Sequence, residues 1–245
     1  MKFENVAWKF GTWANYFKSF IESEEFDNIF ARLKWESNRG RIICPASDDT
    51  FRVFLETPYS DVRVIFVLQD PYPWRVYKGG ESVYVADGLA MSCANTGICQ
   101  PSLRQFYDGM EKELCGGMDL DFVQEPDLTY LAKQGVMLMN CSLTVEKDKP
   151  GSHLSLWASF IKYFFEEIIN QYQRGLPIVF FGQGAGKIEP LVVPFVHWTK
   201  VITHPAAAAH KGTKWESKGL FTWINTILEQ NNGPEFKINW FKTLQ

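Results

Sequence analysis

Asp70, Asn140 and His204 are a carboxylate, a carboxamide and an imidazole, and each stands at or just after the end of a short apolar run. An ionised carboxylate can orient a nucleophile or stabilise a developing positive charge. An imidazole can give or accept a proton near neutral pH, and a carboxamide presents a donor and an acceptor side by side. Each residue also has a purely structural reading. Aspartate before Pro71 suits a turn or a helix cap, asparagine at a strand end can close an Asx-turn, and a single histidine is usually structural. Turn chemistry is a poor account of all three at once if the fold brings them to one place.

The apolar runs decide whether it does. Residues 62–68, 136–140, 178–181 and 199–202 are rich in Val, Ile, Leu, Met and Phe without strict alternation, the pattern of parallel strands covered on both faces. Helical spacing falls between and around them, over 102–114, 154–172 and 215–228 and through most of the first forty residues. Strands alternating with helices predict one α/β domain over 1–245, with a small parallel sheet of about four strands sandwiched by helices. Ligands of such sheets sit beyond the carboxyl ends of the strands. Those ends read Gln69-Asp70-Pro71-Tyr72, Asn140-Cys141-Ser142, Gly182-Gln183-Gly184 and Thr203-His204-Pro205, so the three polar residues are predicted to converge on one crevice.

Composition narrows the partners. A net charge of −3 disfavours a protein that coats nucleic acid indiscriminately, although a local basic loop such as 210–214 with Lys218 can still grip a few phosphates. The five cysteines (Cys44, Cys93, Cys99, Cys115 and Cys141) form no C-x-x-C pair and read as buried thiols rather than as ligands of an iron–sulfur cluster. No apolar run approaches the length of a membrane span, and MKFENVAWKF lacks the layout of a secretory signal. The expectation is a soluble, intracellular, cytoplasmic protein, a reading that leaves room for a nucleus or a viral host cell. Gly182 to Lys187 suggests a phosphate loop, but the required spacing would need glycine at Phe181 and Ser or Thr at Ile188. A tight strand-to-helix turn is the better account.

Five ordered segments carry a resemblance. Gln69-Asp70-Pro71-Tyr72 after VIFVL resembles the water-activating motif of family 1 uracil-DNA glycosylases. Gly88 to Ser92 is similar to that family's base-stacking segment, and Pro101-Ser102-Leu103 to its proline-rich phosphate loop. GVMLMNCSLTVEKDKPGSH resembles its uracil-reading segment, and His204-Pro205 through His210-Lys211-Gly212 its minor-groove loop. The likeness covers nearly the whole chain. It implies a DNA glycosylase of the uracil-DNA glycosylase superfamily, acting in base excision on DNA, single- or double-stranded, as a monomer with neither metal nor cofactor.

Residue by residue, the resemblance implies Asp70 and His204 as catalytic groups. Gln69, Tyr72, Met91 and Asn140 would bind the substrate base, with Tyr72 walling off C5. Pro101, Ser102, Ser142, Ala206, His210 and Lys211 would meet DNA. The chemistry suits these types: cleaving a glycosidic bond creates a cationic sugar and an anionic base. Asp70 could answer the first charge, and a neutral His204 the second, with the Gln69 backbone N–H sharing that role. Asn140 suits N3–H and O4 of uracil, and the base must leave the stack to reach any of them.

The chain also departs from the family pattern. Pro73 stands where many members have histidine, and Met91 replaces a stacking aromatic. Residues 74–86 form a longer loop, and 206–209 are all alanine where a large apolar wedge is usual. Poxvirus members resemble this chain in the proline and in an Ala-Ala pair. Two alternatives follow. One is excision of a bulkier 5-substituted or hypermodified pyrimidine, with a defence role against viruses of modified DNA. The other is a non-catalytic DNA-binding or replication-partner module. Trp74 and Tyr77 on the longer loop are candidates to stack on a nucleotide.

Overall fold

A computed structural model describes residues 2–116 and 122–242. The strands in chain order are β1 (Ile43–Cys44), β2 (Val64–Leu68), β3 (Arg75–Lys78), β4 (Glu81–Tyr84), β5 (Val136–Asn140), β6 (Val145–Glu146), β7 (Pro177–Phe181) and β8 (Trp198–Ile202). The four apolar runs are β2, β5, β7 and β8, each within two residues of its predicted bounds. They form one parallel sheet in the order β5-β2-β7-β8. Burial is complete along β2, β5 and β7. β8 is the exception: it exposes Trp198, Thr199 and Val201.

The α-helices are α1 (Ala14–Ile21), α2 (Glu24–Ser37), α3 (Arg52–Glu56), α4 (Pro101–Cys115), α5 (Thr129–Ala132), α6 (Leu154–Tyr163), α7 (Asn170–Tyr172), α8 (Gly182–Gly186), α9 (Pro205–Lys211) and α10 (Leu220–Asn232). They cover both faces of the sheet, as the strand pleat shows. Successive residues of a strand point to opposite faces. Phe181 and Phe66 meet Phe106 of α4, and Phe66 also stacks on Trp240, against which Phe221 of α10 packs. Phe180 points the other way, to Phe165 in the π-helical turn (Phe164–Ile169) that follows α6. On that side Phe10, Trp13, Phe17 and Phe54 of the N-terminal third join Phe160 and Phe164 in one aromatic cluster. The fold is therefore α/β, a four-stranded parallel sheet between helical layers, as predicted.

Two local expectations are corrected. Residues 74–86 are not an open loop but an antiparallel hairpin, β3–β4, closed by Gly79-Gly80 between Lys78 and Glu81. Both glycines have positive φ (61° and 88°), as a tight two-residue hairpin turn requires. The last helix begins at Leu220 rather than 215, because Lys218 and Gly219 adopt left-handed backbone and break the pattern. Trp215 instead lies flat on α4, where a Cβ at Gly109 would come within 2.5 Å of its ring. β1 and β6, too short to read from sequence, pair to tie residues 43–44 to 145–146.

All five cysteines are free and buried. Among the described residues no helix is long and apolar enough to cross a membrane, and no group of three or more His, Cys, Asp or Glu side chains could hold a metal ion.

Candidate active site

From β2 the chain moves to β5 on one side, and β7 then continues on the other side of β2. Strand order reverses at that point, so a crevice opens beyond the carboxyl ends of β2 and β7. A cleft of about 1000 Å³ lies there, walled among others by Gln69, Asp70, Tyr72, Met91, Gly184 and His204. The residues that follow β2, β7 and β8 thus converge on one cleft.

Asp70 is held by its neighbours rather than by a cation. Its Oδ2 accepts from Gln69 Nε2 at 2.7 Å and from the backbone N–H of Gly151 at 2.9 Å. Its Oδ1 is buried and has no partner in the protein. Burial pushes the Asp70 carboxyl above its usual range, and the Gln69 and Gly151 donors oppose that shift. One oxygen is therefore fixed and the other left for something the protein itself does not supply.

His204 is oriented from the opposite side. It forms the N-cap of α9, and its Nδ1 accepts from the Ala206 backbone N–H at 3.0 Å. That bond uses the Nδ1 lone pair, so in the neutral ring the proton sits on Nε2. Burial, and secondarily the positive charge of His210, lower the His204 pKa to about 4. Near neutral pH the ring is an uncharged Nε2–H donor. Trp215 steadies the approach, since its Nε1–H donates to the carbonyl of Thr203 at 2.7 Å.

Tyr72 and Met91 form a second wall. The Tyr72 hydroxyl lies 2.8 Å from Ser102 Oγ and 3.2 Å from the Met91 carbonyl, which fixes the phenol. Its ring also packs on Trp74, 5.4 Å between centroids. Met91 has φ 64°, and its buried side chain lines the cleft.

Asn140 is the most buried of the three. It ends β5 in register with Leu68, a residue of the cleft wall, and is only 4% exposed. Its Oδ1 is buried without a partner, a state that favours a role toward a bound group over an Asx-turn.

The residues expected to meet DNA divide. Ser102 with its exposed neighbour Pro101, and His210, line the cleft, and Lys211 lies exposed beside His210. Ala206 lines it too, but its N–H is committed to His204, which makes it an orienting group. Ser142 is corrected: its hydroxyl is fully buried and donates to the Thr144 carbonyl at 2.6 Å, away from the cleft. The Gly151 N–H and Trp215 were missed, because a backbone donor or a packed indole leaves no motif; Gln69 was expected to act through its backbone N–H, and its side chain also holds Asp70. Gly151 is fixed by a buried anchor two residues on. His153 lies 2.9 Å from Glu36 through Nε2 and 2.8 Å from Thr144 Oγ1 through Nδ1, and Glu36 also pairs with Arg32 at 2.6 Å.

Fold and cleft define an α/β protein whose site lies at the switch point of a short parallel sheet, with a carboxylate and a neutral imidazole in one crevice. The chain is 32% identical over 221 residues to uracil-DNA glycosylase 1 of Listeria monocytogenes serotype 4b (strain F2365), a match spanning 90% of this chain and 93% of that protein. It is 31% identical over 234 residues to the uracil-DNA glycosylase of Proteus mirabilis (strain HI4320), covering 94% and 95% of the two chains. The crystal structure of mimivirus uracil-DNA glycosylase superposes with a TM-score of 0.80 at 21% identity, over 92% of this chain and 86% of that one, a likeness of fold. No family model matches the chain. On this identity and coverage the chain belongs to the uracil-DNA glycosylase family.

Proposed function

We propose that this protein removes uracil from DNA by hydrolysing the bond between N1 of the base and C1′ of the deoxyribose, leaving an abasic site. The base enters the cleft after leaving the stack, since its glycosidic bond is out of reach inside a duplex. Met91 packs against the base through its polarisable thioether, and Tyr72, pinned by Ser102, closes the C5 side against a methyl group. Asn140 offers its carboxamide to N3–H and O4. Pro101, Ser102, His210 and Lys211 lie where the phosphates on either side would pass.

As the N1–C1′ bond breaks, its electron pair stays on the base, and negative charge gathers at O2 while the sugar becomes cationic. The Nε2–H of His204 donates to O2 and stabilises the anion without surrendering its proton. The ionised Asp70 faces the cation, and its free Oδ1 orients a water whose oxygen bonds to C1′. The proton of that water passes to Asp70. A positioned donor in such a site is worth about 3 kcal/mol of barrier, roughly 10²–10³ in rate.

One observation carries this reading: the Ala206 N–H occupies Nδ1 of His204, which fixes the proton on Nε2 in the cleft that Asp70 lines. No comparable observation favours a bulkier pyrimidine or a non-catalytic module. Of the extra residues only Trp74 lines the cleft, the others pair as a hairpin, and Tyr72 stays tied to Ser102. The test is incubation with oligonucleotides that carry uracil, thymine or 5-substituted cytosines, followed by alkali. Cleavage at uracil supports the proposal; cleavage confined to the other bases, or none at all, overturns it.

A further inference from the structure

The β3–β4 hairpin stands beside the cleft and takes no part in the proposed chemistry. It leaves directly from the cleft wall, since Tyr72, Pro73 and Trp74 all line the cavity and β3 begins at Arg75. The ribbon is fixed at both ends. At its base the Val85 N–H donates to the Trp74 carbonyl at 3.2 Å, and near its tip Lys78 Nζ donates to the Asn95 carbonyl at 3.2 Å. Arg75 and Tyr77 share one face with Ser82 and Tyr84, and the Arg75 guanidinium lies 4.4 Å from the centre of the Tyr84 ring. Tyr77, by contrast, is 85% exposed, a large aromatic held rigidly in solvent on a ribbon that starts at the cleft.

A second observation concerns the opposite rim. Extruding a base from a duplex leaves a gap that a side chain must fill if the lost stacking is to be replaced. Of the residues that α9 turns toward the cleft, Ala206, Ala207 and Ala209 reach no further than a methyl group, and His210 is a polar side chain in the last turn of the helix. That rim offers no large apolar wedge, so the extrusion cost is not offset there. A single strand, whose bases are already partly unstacked, avoids the cost.

We propose that the hairpin is a single-strand arm, on which Tyr77 stacks against the base of a nucleotide flanking the one held in the cleft. Stacking on a tyrosine tolerates any base, because every base has a π-face. The contact is aromatic more than electrostatic: Glu81 lies opposite Lys78 in the ribbon, so the tip carries little net charge. The inference rests on the DNA-binding part of the function proposed above, and its test does not depend on cleavage.

The experiment is fluorescence anisotropy with the full chain and two uracil-free oligonucleotides of equal length, one single-stranded thymidine oligomer and one duplex. Wild type is expected to bind the single strand more tightly. Tyr77→Ala is expected to weaken single-strand binding by about 5- to 100-fold, with duplex binding changed less than twofold. Tyr77→Trp should restore it. The wild-type to Tyr77→Ala ratio should stay constant as salt is raised, since an aromatic contact releases no counterions. Equal binding by wild type and Tyr77→Ala, or equal losses on both DNAs, overturns the proposal. Failure of the uracil assay alongside a selective Tyr77 effect would overturn the proposed reaction and leave the arm standing.

Discussion

The side-chain oxygen of Gln69 lies so close to the α-carbon of Gly184 that a Cβ at that glycine would overlap it. Gly184 sits in the first turn of α8 after β7 and does not have positive φ, so the glycine serves space rather than backbone freedom. The space lets the Gln69 amide turn toward Asp70, to which it donates at 2.7 Å. Gly184→Ala should therefore leave the helix intact, and alanine even favours it by up to about 1 kcal/mol. It should also dislodge Gln69 and lower kcat/KM for uracil excision by roughly 10- to 100-fold. The check is a double-mutant cycle: if Gln69 transmits the effect, Gly184→Ala costs little more in a Gln69→Ala background.

The site is built from groups that the fold leaves unpaired. Asp70 Oδ1 and Asn140 Oδ1 are both buried without partners. Burial raises the Asp70 pKa, so its ionised form costs stability at neutral pH. Asp70→Asn should reduce excision by about 10²–10⁴-fold while raising Tm. Asn140→Ala should likewise lower kcat/KM by about 10²-fold or more with Tm unchanged or higher, since a buried orphan acceptor costs about 1–3 kcal/mol. Scanning calorimetry beside the cleavage assay checks both. A large fall in Tm for either variant would mean that these atoms have structural partners after all.

The pH dependence follows from the same two groups. Activity needs Asp70 ionised and His204 neutral, and Asp70 titrates above 3.8 while His204 titrates at about 4. Both requirements fail on the acid side. kcat/KM should fall as pH drops through a midpoint above 3.8, with no alkaline loss near pH 6.5 from the imidazole. Stability moves too. As pH falls below 6.5 the unfolded chain protonates this histidine while the folded one resists until about pH 4, so stability is lost across that window. The loss is on the order of 3 kcal/mol at its fullest. Asp70 has the opposite sign, with its contribution present below pH 3.8 and lost as pH rises through its higher folded value. His204→Leu should flatten the Tm profile between pH 6.5 and 4.

The sheet was legible because β2, β5 and β7 are buried on both faces, which forces continuous apolar runs; the ends of β2 and β5 marked Asp70 and Asn140, and the end of β8 marked His204. The hairpin was also within reach: Arg75 to Tyr84 places Gly79-Gly80 between two valine–tyrosine pairs, a signal for a two-residue turn that its reading as a longer loop overlooked. The start of α10 was not legible, because Trp215 keeps the helical period while its ring is claimed by Gly109 and its N–H by Thr203. Nor was the second donor to Asp70. A backbone N–H at Gly151 has no residue type to announce it, and its placement comes from contacts distant in sequence.

Those contacts yield the last expectation. His153 joins Glu36 of α2 to Thr144, and Trp157 Nε1 donates to the same Thr144 hydroxyl at 2.7 Å. Burial works against the charge on Glu36, but the hydrogen bonds from Arg32 and His153 hold its carboxyl below the usual range. The cluster clamps residues 144–153, the segment that delivers the Gly151 N–H to Asp70. His153→Ala should destabilise the fold by about 1–3 kcal/mol, the cost of leaving buried polar groups unpaired. Its functional mark is separable from that loss. With the Gly151 donor loosened, the ionised form of Asp70 is less favoured, so the acid limb of kcat/KM should move to higher pH. A variant destabilised elsewhere in the core, such as Phe17→Leu, should lower Tm without moving that limb. If the two variants share one pH profile, the clamp stabilises the protein but does not tune the carboxylate.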